Sequence, residues 1–229
     1  AVIGELASSG EGVLVLCADA LWRRGIIESA IHPGRLAETD GVIVAARGSL
    51  AGADRPGLVL ADWAALHLMP ELAFSFEHVV IADPAPHLSL SELANTGDGY
   101  VHVLASAAEL SLRALDANLP TREELIAAYR RLRAAGPLLE GEALRIALAG
   151  ESGSARSPEA CARTLRVLGE VGAVRTAVND TAAAVEVVSS GRGDLSSSVS
   201  FRAAKKAHEE CVRYLSQPEI QSSKSLKAA

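Results

Sequence analysis

The sequence predicts an α/β fold in which a Rossmann-like parallel sheet with flanking helices is followed by a winged-helix-like α+β subdomain. Two observations lead to this prediction. In the first half, short continuous apolar runs alternate with helix-like stretches, as expected for strands buried on both faces of a parallel sheet. In the second half, three helix-like segments precede two β-prone segments with a turn between them, which is the order of a winged helix.

The predicted parallel sheet rests on four β-branched apolar runs and a fifth, shorter one. The runs are Val13–Ala18, Gly41–Ala46, His78–Ala82 and Tyr100–Ala105, with Leu58–Leu60 as the fifth. The helix-like stretches between them are Asp19–Ala30, Ala61–Met69, Ser91–Asn95 and Ala107–Leu119. This alternation predicts right-handed crossovers between parallel strands.

Acidic residues follow two of the predicted strands. Asp19 comes after Val13–Ala18, and Asp83 comes after His78–Ala82. Ligands bind at the carboxyl ends of the strands in such sheets, so Asp19 and Asp83 are a candidate ligand site, and His87 would complete half of a metal site. Either carboxylate could instead cap the next helix, and we favour capping.

Motifs for phosphate binding and catalysis are missing from the sequence. It contains no G-x-x-x-x-G-K-[ST], and Gly10-Glu11-Gly12 precedes the first strand instead of following it. The six histidines lack H-E-x-x-H spacing, and His78 and His102 lie within strands as core or edge residues. The stretch Gly150–Ser154 lacks the last glycine of G-x-S-x-G. We therefore predict no catalytic, cofactor-binding or metal-binding residues in this chain.

The second half opens on a strong helix start. Thr121 and Glu124 have the spacing of a capping box, which predicts the helix Arg122–Ala135. Ser157-Pro158 begins a later helix with serine at the N-cap and proline at the first helical position. The other predicted elements are the helix Gly141–Ala149, the β-prone segments Ala173–Val178 and Ala183–Val188, and the helix Val199–Leu215.

Charge separates the two halves. Residues 1–119 carry 6 basic and 15 acidic side chains, whereas residues 120–229 carry 16 basic and 13 acidic ones. We therefore predict an acidic α/β domain over 1–119, a winged-helix-like domain with its C-terminal helix over 120–216, and a polar tail over 217–229.

Most basic residues of the second half are arginines, which suit contacts with phosphate or with a partner protein. The candidates are Arg130, Arg133, Arg156, Arg163, Arg166, Arg175 and Arg192. Arg131 lies with Arg130 and Arg133 on the first helix of this half. Glu159 stands four residues before Arg163, which also fits an ordinary ion pair within a helix. Partner docking is thus favoured over direct contact with DNA.

Composition excludes several classes of protein. The chain is 49% hydrophobic and 22% charged, which excludes global disorder, and its apolar runs are too short to span a membrane. Aromatic residues make up 3%, too few for a platform that stacks on the bases of single strands. Cys17, Cys161 and Cys211 are widely spaced and odd in number, which predicts reduced thiols and a cytoplasmic protein.

From His78 onward, several segments follow one another in a recognisable order. They are the strand ending in Asp83-Pro84, Val101–Leu104, the stretch from Pro120 to Leu125 with Tyr129, Thr164–Gly169 with Glu170, Val171 and Gly172, a hairpin, and Asp194–Ser198 leading into Phe201 and a terminal helix. This order resembles the C-terminal region of the single-strand-specific exonuclease RecJ. Residues 1–77 match only in the order of strands and helices.

The resemblance implies a non-catalytic accessory domain of a 5′→3′ exonuclease that acts in DNA repair and recombination. The parent enzyme would use Mn or Mg at an Asp-His-His motif, which this chain lacks, so no residue here inherits a catalytic role. The implied partners are DNA and repair proteins such as single-strand-binding protein. Two alternatives remain open: a stand-alone winged-helix DNA-binding regulator, and an α/β protein that binds a small molecule near Asp19 and Asp83.

Overall fold

The computed structural model describes residues 2–30, 42–45, 57–104, 107–150, 156–178, 183–188 and 193–221. The chain divides into two compact units. Unit 1 is formed by the described residues of Ala1–Leu115 and Glu210–Ala229, and unit 2 by those of Asp116–Glu209.

Unit 1 is built on a parallel sheet of five strands with helices on both faces. The strands are β1 (Val13–Cys17), β2 (Val42–Ala45), β3 (Leu58–Asp62), β4 (His78–Ile81) and β5 (Tyr100–Val103). The helices that begin in this unit are α1 (Val2–Ala7), α2 (Ala20–Ala30), α3 (Trp63–Leu68), α4 (Leu88–Ala94), α5 (Glu109–Asn118) and α10 (Pro218–Gln221), and a 3₁₀ helix spans Pro70–Phe74. The prediction of an α/β fold with a parallel sheet flanked by helices is confirmed.

Strand β1 lies at the centre of this sheet, whose order is β2-β3-β1-β4-β5. Val13 stands opposite Leu58 of β3 and His78 of β4 in the parallel registers. In the dinucleotide-binding fold the second strand lies beside the first, whereas here β3 takes that position. The sequence predicted the strands, including the short fifth one, but not this order.

Alternate residues of the strands supply two apolar layers. Leu14 and Leu16 of β1 face one layer with Trp63 and Leu66 of α3, and Leu90 of α4. Val13, Val15 and Cys17 of β1 face the other, which contains Ile27 of α2 and is flanked by Ile3 and Leu6 of α1. Both layers exclude water, which is why the strands are continuous apolar runs in the sequence.

Several helix ends differ from the sequence-based expectation. The stretch Ala61–Met69 was predicted as helix, but Ala61 and Asp62 complete β3 and α3 begins at Trp63. The reason is the cap: Asp62 has extended backbone angles, and its carboxylate accepts the Ala65 N–H at 2.8 Å. Helix α1 and the 3₁₀ helix were not predicted, since six and five residues are too few to show a helical period.

Unit 2 follows the order helix, strand, helix, helix, strand, strand. Its elements are α6 (Arg122–Ala135), β6 (Leu138–Glu140), α7 (Gly141–Ala149), α8 (Pro158–Glu170), β7 (Val174–Val178) and β8 (Ala183–Val187), followed by a 3₁₀ turn at Leu195–Ser197 and α9 (Val199–Leu215). The bounds predicted for α6, α7 and α9 are confirmed.

A small antiparallel sheet of order β6-β8-β7 covers the helices of unit 2. Its buried side chains include Leu139 of β6 and Val185 of β8, which pack with Leu125 and Leu132 of α6 and Val167 of α8. The predicted hairpin is present, with Thr176 opposite Val185. Strand β6 was missed because it has three residues, and only its middle one is buried.

The limits of the two units stand beside the predicted domains 1–119 and 120–216, which stay a prediction. The first segment of unit 1 ends at Leu115, and its second segment begins at Glu210 within α9. The predicted tail 217–229 contains α10 at its start, and residues 222–229 lie outside the description. Among the helices described, none has the length and apolar character required to cross a lipid bilayer.

Candidate functional site

The carboxyl ends of β1 and β4 are the place where an open α/β sheet of this order binds ligands. After β1 the chain leaves toward β2, and after β4 it leaves toward β5, so these two neighbouring strands mark the switch point of the sheet. The candidate residues Asp19 and Asp83 follow these two strands, and the structure therefore brings their segments to one edge of the sheet.

Asp83 is committed to contacts within the protein. Its carboxylate accepts the Ala18 N–H at 3.0 Å and the Arg23 Nε–H at 3.2 Å, and it forms an ion pair with the Arg23 guanidinium. The Asp83 side chain has no exposed surface. A buried carboxylate needs such partners, because an isolated buried charge is costly. The Arg23 side chain therefore lies against Asp83 at this edge of the sheet.

The other groups at this edge also have structural partners. Asp19 accepts the Trp22 N–H at 3.0 Å in the first turn of α2, which is the capping role that we favoured. His87 Nδ1 lies 2.8 Å from the Ser89 hydroxyl, and the half metal site with Asp83 stays a prediction. Burial raises the pKa of the Cys17 thiol, and the nearby Asp83 and Asp62 carboxylates raise it further, which keeps the thiol protonated.

Three arginines of unit 2 hold elements of that unit together. Arg156 forms an ion pair with Glu124 at the start of α6, and its guanidinium lies 3.4 Å from the Thr164 hydroxyl of α8. Arg163 donates to the Asn118 carbonyl at 2.7 Å. Arg131 donates to the Ala147 carbonyl at 2.9 Å, near the end of α7. The candidates Arg156 and Arg163 therefore have structural contacts that could not be foreseen from helical spacing.

Other candidate arginines are exposed. Arg130 and Arg133 lie on α6, Arg166 lies on α8, and Arg175 lies on β7 with its guanidinium 3.7 Å from the exposed Glu186 carboxylate of β8. An exposed pair at that distance is weak and leaves the arginine available to a phosphate. Arg192 lies outside the described residues.

Glu170 fixes the start of α9. Its carboxylate accepts hydrogen bonds from the Ser198 hydroxyl at 2.6 Å and from the Ser200 backbone N–H at 2.9 Å. The Ser198 hydroxyl in turn accepts the Phe201 N–H at 3.0 Å, as an N-cap does. These hydrogen bonds, led by that of Ser198, lower the pKa of Glu170 to about 2. The segment Asp194–Ser198, noted in the sequence, thus serves as a helix cap.

A chain of three polar side chains at the amino end of the sheet was not recognised from the sequence. It joins Glu11, in the loop before β1, to His78 of β4 and His102 of β5. The signal was limited to two histidines within apolar runs, and the parallel register that brings β4 and β5 together is a tertiary property.

Over the part of the chain that the structure describes, no group of three or more His, Cys, Asp or Glu side chains is arranged to hold a metal ion. Comparison of the chain with protein families, with curated proteins and with solved structures found no match in any of the three.

Proposed function

We propose that this chain is a non-catalytic accessory module of a RecJ-type 5′→3′ single-strand-specific exonuclease, in which unit 2 is a winged-helix-like domain that contacts DNA or docks a repair partner. The observation that supports the winged-helix part of the proposal is the chain order of unit 2. Three helices precede the β7–β8 hairpin, as expected of a winged helix from the sequence, and the additional strand β6 pairs with β8.

Unit 1 supports a scaffold role by how it uses its polar groups. Asp83 and Arg23 fill the switch point with an internal ion pair, and Asp19 caps α2. These side chains are the ones that would otherwise receive a ligand at this edge. The small-molecule alternative therefore has less support than the accessory role.

The exposed arginines of unit 2 provide the surface for the proposed contact. Arg166 and Arg175 are exposed, whereas Arg156 and Arg163 bind groups of the protein itself. Long cationic side chains of this kind bind phosphates without reading the base sequence. A stand-alone DNA-binding regulator would use the same arginines, so it is the second candidate function.

The test is binding of the purified chain to fluorescently labelled single-stranded and duplex DNA over a salt series from ~50 mM. The double variant Arg166→Gln with Arg175→Gln should bind more weakly and with a flatter salt dependence, by about 0.7 to 0.9 in log–log slope for each phosphate that is no longer neutralised. The matched control is Arg145→Gln with Arg202→Gln, which removes equal charge from exposed positions of unit 2. Equally weakened binding in both variants, or no binding by the wild-type chain, would count against direct DNA contact.

The accessory role has its own test. The chain incubated with Mn²⁺ and 5′-labelled single strands should leave them intact, and measurable digestion would contradict the non-catalytic assignment. The reading frame upstream of this sequence separates the two candidate functions. A phosphoesterase core encoded there supports the accessory role, and an independent short gene supports the regulator.

A further inference from the structure

The amino end of the parallel sheet carries two histidines whose ring nitrogens meet. His78 Nδ1 lies 3.1 Å from His102 Nε2, and His78 Nε2 lies 2.6 Å from the Glu11 carboxylate. The His78 side chain is about nine-tenths buried, at 10% exposure, and Tyr100 stacks on its ring at 5.6 Å between centroids. Three segments of unit 1 are therefore joined through one imidazole.

The hydrogen-bond chain fixes where protons lie when both rings are neutral. Glu11 is a carboxylate and can only accept, so His78 donates through Nε2–H. His78 Nδ1 is then an acceptor, and His102 donates to it through Nε2–H. Every nitrogen that takes part in the chain has a partner in this state.

One added proton leaves both hydrogen bonds, Glu11 to His78 and His78 to His102, in place. If His78 takes it, Nε2–H still donates to Glu11, and Nδ1–H now donates to a neutral His102 whose Nε2 accepts. The resulting imidazolium lies between a carboxylate and a lone pair, which is a favourable position for it. The hydrogen bond between His78 Nδ1 and His102 Nε2, at 3.1 Å, remains, and His78 is now its donor.

A second proton cannot be accommodated. With both rings charged, His78 Nδ1 and His102 Nε2 are both donors, and two N–H groups would face each other where one hydrogen bond had been. The repulsion between the two cations adds to this conflict. The contact between β4 and β5 side chains must then separate.

We propose that Glu11, His78 and His102 form a proton-operated clasp, which holds the loop before β1 and the edge strand β5 to β4 until both imidazoles are charged and then releases β5. The groups that contact His78 are Glu11 from the loop, and Tyr100 and His102 from β5, while β1 presents the apolar Val13. Glu77, the residue before His78, is engaged with the Gly12 N–H at 2.9 Å.

The electrostatics of His102 agree with this order of protonation. Partial burial lowers the pKa of His102, and the neighbouring His78 lowers it further. Among the described strands, β5 is at the edge of the sheet and pairs with β4 alone, so its release does not require the other described strands to separate. We expect the opening below the ordinary histidine pKa of about 6.5.

The experiment follows the six histidines by ¹⁵N-detected NMR on the whole chain between about pH 8 and about pH 5, in the presence of a chelator. The His102 ring should become doubly protonated only below the ordinary histidine range of about 6.5, and the Nε2 proton that His78 donates to Glu11 should persist until then. Double protonation of His102 without any change in the protection of the β5 amides would overturn the proposal.

Amide hydrogen exchange supplies the second readout. The Tyr100 and Leu104 amides bond to carbonyls of Glu77 and Ile81 at 2.7 and 3.0 Å, so they report on the attachment of β5. Their opening equilibrium should grow by about tenfold for each pH unit below the His102 transition, while the Ala82 amide, bonded to Leu16 in the centre of the sheet, should not change.

A conservative variant distinguishes the release of β5 through His102 from a general loss of stability in acid. His102→Gln retains a donor for His78 Nδ1 but does not titrate, so the pH dependence at Tyr100 and Leu104 should disappear. His208→Gln, which alters a histidine paired with Asp116 in unit 2, should retain it. Identical pH dependence in wild type and His102→Gln would overturn the proposal, and the wild-type titration decides the question even if a variant folds poorly.

Discussion

The Arg23 guanidinium binds the Asp83 carboxylate at the carboxyl end of the parallel sheet. The pair joins the first turn of α2 to the segment after β4, and the Ala18 N–H completes the shell of the carboxylate. These contacts of Asp83 therefore join α2 to the segments that follow β1 and β4.

Replacing Arg23, the cationic member of this pair, should lower the stability of the protein. We expect Arg23→Gln to lower the free energy of unfolding by about 3 to 5 kcal/mol, because it leaves Asp83 as a buried and uncompensated charge. Arg24→Gln is the matched control, since Arg24 is 49% exposed in its pair with Glu28, and it should cost less than about 0.5 kcal/mol. Urea unfolding of both variants measures the difference, and equal costs would contradict the structural role of Arg23.

Gly99 should not tolerate replacement by alanine. A Cβ atom there would lie 2.5 Å from the Glu77 carbonyl oxygen and 2.7 Å from that of Phe76, both of them backbone atoms. We expect Gly99→Ala to destabilise unit 1 by about 1 to 3 kcal/mol, as overpacking does. In Gly25→Ala, the new Cβ on α2 meets no atom within 4 Å, so this control should instead stabilise by about 0.5 to 1 kcal/mol in the same unfolding assay.

The local elements could be predicted from the sequence because their signals are local. The capping box of Thr121 and Glu124 and the Ser157-Pro158 start mark helices within four residues, and both caps are present. Val13–Cys17 could be predicted as a buried strand because both of its faces are apolar. These features depend on neighbours in the chain alone.

Features set by distant residues could not be predicted in this way. Strand β6 exists because Leu139 pairs with Val185, and nothing near Leu139 indicates that partner. The partner of Arg163 is a backbone carbonyl at Asn118, which carries no sequence signature. The same holds for Arg23, whose carboxylate partner lies 60 residues away.

The capping box at the start of α6 gives a third prediction. The Thr121 hydroxyl accepts the Glu124 N–H at 3.3 Å, and the Glu124 carboxylate accepts the Thr121 N–H at 3.0 Å. We expect Thr121→Ala to lower the stability of unit 2 by about 1 kcal/mol in chemical denaturation. Thr176→Ala, at an exposed position of β7, serves as the control and should have the smaller effect.

Glu170 gives a prediction about acid. Its pKa is lowered to about 2 by hydrogen bonds from Ser198 and Ser200, so the unfolded chain binds the proton more readily than the folded one. The stabilisation is therefore complete above the ordinary glutamate pKa and disappears as the pH falls toward about 2. We expect Glu170→Gln to melt at a lower temperature than wild type near neutral pH, with the gap closing in strong acid.

The comparison for Glu170 is Glu209→Gln. Glu209 lies on the exposed side of α9, with Lys205 at 3.9 Å, and it accepts no cap hydrogen bond from Ser198 or Ser200. Thermal melts over the acid range should therefore show little change between this variant and wild type. A difference in melting temperature between Glu170→Gln and wild type that stayed constant with pH would contradict the assignment of the carboxylate as the stabilising group.

The central position of β1 has a consequence for synthesis on the ribosome. Both hydrogen-bonding neighbours of β1, the strands β3 and β4, lie later in the chain than β1 itself. A nascent polypeptide must therefore carry Val13–Cys17 without its final partners until His78–Ile81 has left the exit tunnel. During that interval a segment whose residues are all buried in the folded protein is exposed to aggregation.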